Sequence, residues 1–277
     1  MNYFKLPLED WTNHFVDAFL LPVFGGFFDI ISEYISFFLI SFQDFLIWTR
    51  PEIITLVIVF LTWRTAGKGL ALFSIIGLFY IGAVDLWAEA MQTLSVVLVA
   101  TVLCILVGVP LGIWTARSDT VEKIVRPVLD FMQTLPSFVY LIPTILLFGI
   151  GGVPAVISTF VFATPPAVRL TNLGIRQVPD DVVEAARAFG STPWQMLTKV
   201  QLPMALSTIL AGINQTIMLA LSMAVIASMI GAPGLGSTVL AGISRVNVGL
   251  GLVGGLGIVV LAIILDRMTE GLGKRTG

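Results

Sequence analysis

Apolar segments long enough to form membrane-spanning helices recur along this chain and constrain its fold more than any other feature. A helix needs roughly 20 apolar residues to cross the hydrocarbon core of a bilayer. We predict an all-α integral membrane protein with about seven transmembrane helices, of which the first is short for a span. They cover approximately residues 51–63, 69–84, 91–116, 135–150, 154–171, 205–230 and 251–267.

The composition supports a membrane protein. Hydrophobic residues make up 57% of the chain and charged residues only 12%, and the mean hydropathy is +0.98. Soluble domains usually carry about twice that share of charge. The net charge of −2 does not indicate a nucleic-acid partner. With one cysteine, Cys104, and one histidine, His14, we expect no internal disulfide, no metal site and no catalytic residue.

Lysine and arginine are distributed unevenly between the two sides of the predicted membrane protein. Such residues accumulate in cytoplasmic loops. With the N-terminus outside, only Lys5, Arg50 and Arg245 fall on the outer side, and the other 12 of the 15 fall inside. We therefore expect an inner or plasma membrane protein with its N-terminus outside and a cytoplasmic tail at 271–277.

The stretch 27–48 differs from the predicted spans because it combines large apolar residues with several polar ones. At 100° per residue its polar side chains fall on one side of a helix, within about 100°. We expect residues 1–50 to form an extracytoplasmic tail with an amphipathic helix in the outer interface, followed by scaffold helices over 51–88. A helix packed on the spans is the alternative, whereas a crossing would place three carboxylates in lipid. The polar residues are Asp29, Glu33, Ser36, Gln43 and Asp44.

A polar loop at 172–204 separates two predicted spans on the positively charged side. Asp180 and Asp181 follow a proline and favour the start of a helix. Gly190 suits the end of that helix, and Pro193 suits the first turn of a second one. Local rules therefore predict two short helices joined at a glycine.

This loop resembles the EAA loop of ABC importer permeases, whose pattern is E-A-A-x3-G-x9-I-x-L-P. The chain has Val200 where the family usually has isoleucine. The resemblance implies that the loop docks into a cleft of an ATP-hydrolysing partner, with Phe189 and Met196 as candidate apolar anchors. An ordinary helical hairpin is the alternative. The matching positions are Glu184, Ala185, Ala186, Gly190, Val200, Leu202 and Pro203.

Two further segments carry polar groups or prolines within apolar sequence. Residues 126–143 contain three prolines, and 213–236 ends in a glycine-rich stretch that predicts an outer turn or re-entrant elbow. Polar groups at depth face either a water-filled path or a neighbouring helix. The candidate pathway-lining residues are Gln133, Thr134, Pro136, Phe138, Tyr140, Asn214, Gln215 and Ser222.

Segments 90–117, 133–143, 199–203 and 214–223 are similar to glycine betaine/proline betaine permeases. The resemblance implies a type I importer core over residues 89–270 and uptake of quaternary-amine osmolytes. It also implies a second permease copy, expected to form a homodimer, and an extracytoplasmic substrate-binding protein.

The chain contains no GxxxxGK[ST] phosphate-binding run. We therefore expect a transport subunit that is not itself an enzyme and binds no cofactor. ATP and magnesium belong to the partner ATPase. A choline or carnitine importer of the same branch and an ion-coupled carrier are the alternatives.

Overall fold

A computed structural model describes residues 7–274, and every regular element in this range is a helix. Residues 1–6 of the predicted N-terminal tail and 275–277 of the predicted cytoplasmic tail lie outside the described residues. The helices before the central loop are α1 Leu8–Phe15, α2 Leu21–Trp48, α3 Pro51–Ala66, α4 Lys68–Ala83, α5 Trp87–Arg117, α6 Asp119–Thr134, α7 Leu141–Phe148 and α8 Gly152–Arg176. Those that follow are α9 Asp180–Ala188, α10 Pro193–Gln195, α11 Leu202–Ile226, α12 Leu235–Ser244 and α13 Val248–Lys274.

Several predicted spans coincide with long helices. By length and composition alone, five stretches in the described range could cross a membrane, and a bent pair would make a sixth. The predicted span at 135–150 belongs to this pair, because the chain turns by 106° between α6 and the segment Ser137–Phe148. Leu135 and Pro136 are extended at the bend, as expected for proline and the residue before it. The five stretches are Asp10–Trp48, Trp87–Arg117, Gly152–Arg176, Pro193–Ile230 and Val248–Gly273.

Helices α3 and α4 are each only 16 residues long, but together they pack along most of α13. The Tyr80 hydroxyl donates to the Val253 carbonyl at 3.2 Å. At the other end, Gly271 lies against the backbone of Thr65. At 1.5 Å per residue, the α13 segment between these contacts is about 27 Å long, close to the thickness of a hydrocarbon core. Neither helix is among the five stretches long enough to cross, so the two crossings at 51–63 and 69–84 stay predictions.

Helix α2 packs along the spans. Leu39 and Leu46 are buried, and Leu39 lies where a side chain at Gly152 would clash with it. Phe28 forms an edge contact with Phe148. This packing supports the scaffold alternative, and 10–48 is also long and apolar enough to cross. The interfacial position of this helix stays a prediction.

The polar side chains of α2 divide between two environments. Asp29, Glu33 and Asp44 are exposed, whereas Ser36 and Gln43 are half-buried. The three carboxylates therefore face away from the packed side of the helix, as its predicted amphipathic character requires.

Helices α5, α8 and α11 form the centre of the molecule, with α8 between the other two. Gly108 of α5 contacts Ala167 of α8, and one turn later Gly112 contacts Thr171. Small residues at such crossings let helix backbones approach closely, which is how membrane helices associate without a hydrophobic driving force. Cys104 is buried in this interface, beside the Thr164 hydroxyl. The spans therefore pack around glycine, alanine and threonine.

The glycine-rich end of the 213–236 segment forms the predicted elbow. Helix α11 ends in a 3-10 turn, Ala227–Ile230, and Gly231 takes a left-handed conformation with φ 79°. The Leu235 amide donates to the Thr93 hydroxyl at 2.8 Å, which anchors the start of α12 on α5. Helix α12 then runs antiparallel to the first turns of α13, so the chain reverses before its last span.

Candidate coupling loop and pathway surface

The loop between α8 and α11 has the predicted helix–glycine–helix structure. Gly190 follows α9 and Phe189 with φ 79°, and the Ser191 amide donates to the Ala186 carbonyl at 3.1 Å. This is a Schellman arrangement, in which a left-handed residue closes the helix end. Gly190 therefore sets the angle at which the chain leaves α9.

The second helix of the loop begins with a capping box. The Thr192 hydroxyl accepts from the Gln195 amide at 3.3 Å, and the Gln195 side chain accepts from the Thr192 amide at 2.9 Å. Pro193 occupies the first helical position, as the sequence predicts. These contacts within the loop satisfy backbone groups at the start of the second helix.

The first half of the motif lies on the surface and the second half lies closer to the spans. Glu184 and Ala185 are exposed, and Ala186 is half-buried. Val200 and Leu202 are half-buried, and Leu202 packs on a small core beneath the loop. The loop therefore presents its small residues outward, while its C-terminal end continues directly into α11.

The apolar anchors of this surface differ from the predicted pair. Phe189 is 91% exposed, in agreement with a docking role, but Met196 is buried beneath the loop. Trp194, which the sequence analysis did not single out, is 69% exposed. The capping box decides this difference, because it sets the register that turns position 194 outward and positions 196 and 197 inward.

A network of arginines connects the loop to the spans. The Arg117 guanidinium, at the end of α5, donates to the Pro193 carbonyl at 2.9 Å. Arg176, at the end of α8, lies 2.7 Å from Asp119 and 2.9 Å from Glu122, both in the first turn of α6. The same arginine donates to the Thr115 carbonyl of α5 at 3.0 Å. Helices α5, α6 and α8 are therefore tied together directly beside the loop.

Charge and hydrogen bonding act on the carboxylates of this network. The hydrogen bond and the positive charge of Arg176 hold the pKa of the exposed Asp119 carboxyl below its ordinary value. A second pair, Arg169 with Asp130, joins α8 to the middle of α6. Helix α6 is therefore paired with α8 both at its loop end and at Asp130. Beyond Asp130, Gln133 and Thr134 precede the 106° bend.

Most predicted pathway residues lie on the surface of this single chain. Gln133, Thr134, Pro136 and Phe138 are exposed around the bend. The 3-10 turn Ser137–Tyr140 packs against α8 and α11. The bend thus brings the predicted pathway residues at 133–138 close to α11, the helix that carries the predicted pathway residues Asn214, Gln215 and Ser222.

Helix α11 has an exposed stripe of small, polar and methionine side chains. Gln215 and Ser222 lie on it, with their neighbours at helical spacing, and the Ser222 hydroxyl donates to its own helix. A lipid-facing surface at this depth would be expected to carry larger apolar residues. The spacing of these residues at intervals of three and four is visible in the sequence. Recognising them as one stripe required knowing which face of α11 has no helix packed on it. The stripe comprises Ser207, Ala211, Gln215, Met218 and Ser222.

Two predicted pathway residues, Tyr140 and Asn214, instead form hydrogen bonds within the protein. The buried Tyr140 donates its hydroxyl to the Met132 carbonyl at 2.5 Å and packs on Phe162. Asn214 donates to the Asp266 carboxylate of α13 at 2.9 Å. The Tyr140 bond closes the bend after α6, whereas the Asn214 bond fits the alternative of hydrogen bonding between helices. Asp266 is a partner that the sequence pattern did not indicate. Within residues 7–274, no group of three or more His, Cys, Asp or Glu side chains could hold a metal ion.

Comparisons with known proteins agree with this arrangement. The sequence model of the family described as "Binding-protein-dependent transport system inner membrane component" matches residues 108–277. The glycine betaine/proline betaine transport system permease protein ProW of Escherichia coli (strain K12) is 50% identical over 97% of this chain and 76% of that protein. The glycine betaine/carnitine transport permease protein GbuB of Listeria monocytogenes (serotype 1/2a, strain 10403S) is 51% identical over 98% of this chain and 96% of that protein.

The fold also matches a solved structure. A chain of the MetNI methionine ABC transporter in an inward-facing conformation superposes with a TM-score of 0.63 at 21% identity, covering 68% of this chain and 94% of that chain. At this identity the likeness concerns the fold alone. By sequence, the chain belongs to the family of binding-protein-dependent transport system inner membrane components.

Proposed function

We propose that this chain is the permease subunit of an ATP-driven importer for glycine betaine, proline betaine and related compatible solutes. The names of the relatives that match nearly the whole chain support this solute class. A carnitine importer is the second candidate, because GbuB is named as a permease for glycine betaine and carnitine.

The observation that carries the proposal is the exposed loop at 180–195. Its outward face combines Glu184, the small Ala185, and the apolar Phe189 and Trp194. Small residues allow a second protein to approach closely, and two exposed aromatic side chains give that contact its apolar area. The chain has no GxxxxGK[ST] run of its own. A partner ATPase with its own ATP and magnesium would therefore dock here, in the cytoplasm.

The pathway would form between two copies of the chain. The exposed stripe on α11 and the bend at 133–138 carry polar groups on a surface that one copy leaves open. A second copy facing this surface would enclose these groups in a route for the solute. The orientation with the loop in the cytoplasm follows from the lysine and arginine distribution. A solute-binding protein would then deliver its cargo to the opposite end.

Co-purification tests the docking role of the loop. The chain is tagged in its native membrane, purified gently, and analysed for an ATPase that comes with it. We expect Glu184→Lys to lose the ATPase, because a charge of opposite sign then enters the docking face. Lys68→Glu is the matched control, since Lys68 is also exposed at the same end of the molecule but is the first residue of α4, outside the loop.

Uptake into proteoliposomes tests the energy source. Glycine betaine uptake by the assembled complex should require ATP inside the vesicles and disappear in Glu184→Lys. If the chain alone moves glycine betaine without ATP and follows an ion gradient, the importer proposal is wrong and an ion-coupled carrier is correct.

A further inference from the structure

The turn between α12 and α13 lies at the end of the molecule farthest from the coupling loop. Helix α13 contacts the end of α3 near Gly271, on the loop side, and it begins at Val248 on the other side. Near that beginning, Tyr80 in the last turn of α4 contacts Val253. We call residues 243–248 the outer tip.

The outer tip contains a strained residue. Val246 has φ 51°, a left-handed conformation in which a β-branched residue is a true outlier. The Asn247 amide donates to the Gly242 carbonyl at 2.8 Å, so Val246 occupies the position of a Schellman turn that is usually glycine. Its side chain is 87% exposed and therefore gains almost nothing from packing. Folding alone would favour glycine at this position.

The outer tip is also held rigidly. A side chain at Gly242 would meet the Gly251 backbone nitrogen at 2.5 Å, so the two helices touch through their backbones. The Asn247 side chain caps α13 by accepting from the Leu250 amide at 3.0 Å. The turn is therefore fixed from both helices, and Val246 is displayed in one orientation.

The exposed side chains of the outer tip form a small apolar knob with one positive charge. Ile243 is 69% exposed and Val248 is 82% exposed, and Arg245 is exposed between them. The antiparallel packing of α12 on α13 directs this knob along the helix axes. Lipid chains and a second permease copy approach the sides of the spans, whereas a soluble protein approaches along the axes.

We propose that the outer tip is a docking point for the solute-binding protein, with Val246 as its central contact. This rests on the proposed function, and the family description itself names a dependence on binding proteins. The matching surface would be a shallow apolar depression edged by a carboxylate, which would receive Val246 and pair with Arg245. A rigid knob loses little conformational freedom on docking, which explains why a strained valine is useful there.

The test titrates the complete complex in nanodiscs with its solute-binding protein loaded with glycine betaine, and follows ATP hydrolysis. We expect Val246→Gly and Arg245→Glu each to raise the concentration for half-maximal stimulation by about fivefold or more, as loss of a central contact does. Hydrolysis without binding protein should stay unchanged. Val246→Gly should also keep or raise the thermal stability, because glycine relieves the left-handed strain.

Leu252→Ala is the matched control, since Leu252 is exposed on the side of α13 rather than at its end. It should leave the half-maximal concentration unchanged. If wild type is stimulated but both tip variants respond at the wild-type concentration, the docking proposal is overturned and the proposed function stands. If the loaded binding protein does not stimulate wild type at all, the proposed function itself fails and the docking role with it.

Discussion

The close approach of α5 and α8 allows one substitution to be worked through quantitatively. A Cβ atom added at Gly112 would lie 2.6 Å from the Thr171 Cβ atom and 2.7 Å from the Val168 carbonyl oxygen. Ordinary contacts of a Cβ atom begin at 3.4 Å. Gly112→Ala therefore requires the two helices to separate by about 0.7 to 0.8 Å, a shift typical of overpacking.

The loss of stability expected for Gly112→Ala depends on which atoms must move. The Val168 oxygen belongs to the backbone, so no side-chain rotation relieves the contact. Overpacking a tight interior costs about 1 to 3 kcal/mol, and a backbone clash places Gly112→Ala near 2 kcal/mol or above. For a protein of this size, 2 kcal/mol lowers the melting temperature by about 4 to 8 °C. The shift also moves Thr115, one turn along, away from Arg176, so transport should fall as well.

Gly255→Ala provides the matched control. Gly255 also lies within a long apolar helix, α13, but no atom outside its own helix stands within 4 Å of an added Cβ. Alanine is the better helix former by up to about 1 kcal/mol. We therefore expect Gly255→Ala to be neutral or stabilising.

The assay is thermal unfolding of both purified variants beside wild type in the same detergent, followed by uptake in proteoliposomes. A melting temperature of Gly112→Ala equal to those of wild type and Gly255→Ala would refute the reasoning, since the helices would then tolerate the extra atom without separating. A loss of uptake with unchanged stability would place the effect in the transport cycle instead.

Three further predictions concern the loop and its connections. Arg176→Gln should lower the solute moved per ATP hydrolysed in proteoliposomes by about fivefold, because the ion pairs of Arg176 with Asp119 and Glu122 at the loop end of α6 are lost; an unchanged ratio would contradict this. The pairing should persist from neutral to mildly acidic pH, because the pKa of Asp119 is lowered and its contribution is lost only as the pH falls below the ordinary value of 3.8. Trp194→Ala should weaken binding of the purified ATPase by about tenfold with unchanged thermal stability, whereas Trp63→Ala, an exposed tryptophan of α3, should not. Equal binding by both tryptophan variants would remove Trp194 from the docking surface.

The sequence by itself determined the membrane character and the shape of the loop. Both depend on local properties: runs of apolar residues decide whether a helix can lie in lipid, and Gly190 and Pro193 decide where the loop helices end and begin. The elbow at 231–234 was predictable for the same reason, since two glycines and a proline within four residues do not continue a helix. The outward face of Glu184 and Phe189 followed from the resemblance of the loop.

Only the tertiary structure decided which way the other side chains face. Within a uniformly apolar helix, periodicity carries little information about which side meets a neighbour. The sequence therefore grouped Asn214 with Gln215, although one bonds to Asp266 and the other is exposed. In the same way, Met196 and Trp194 differ by half a turn, and the packing beneath the loop buries one and exposes the other. Burial in a membrane protein is set by contacts between distant segments, and these exist only once the helices have assembled.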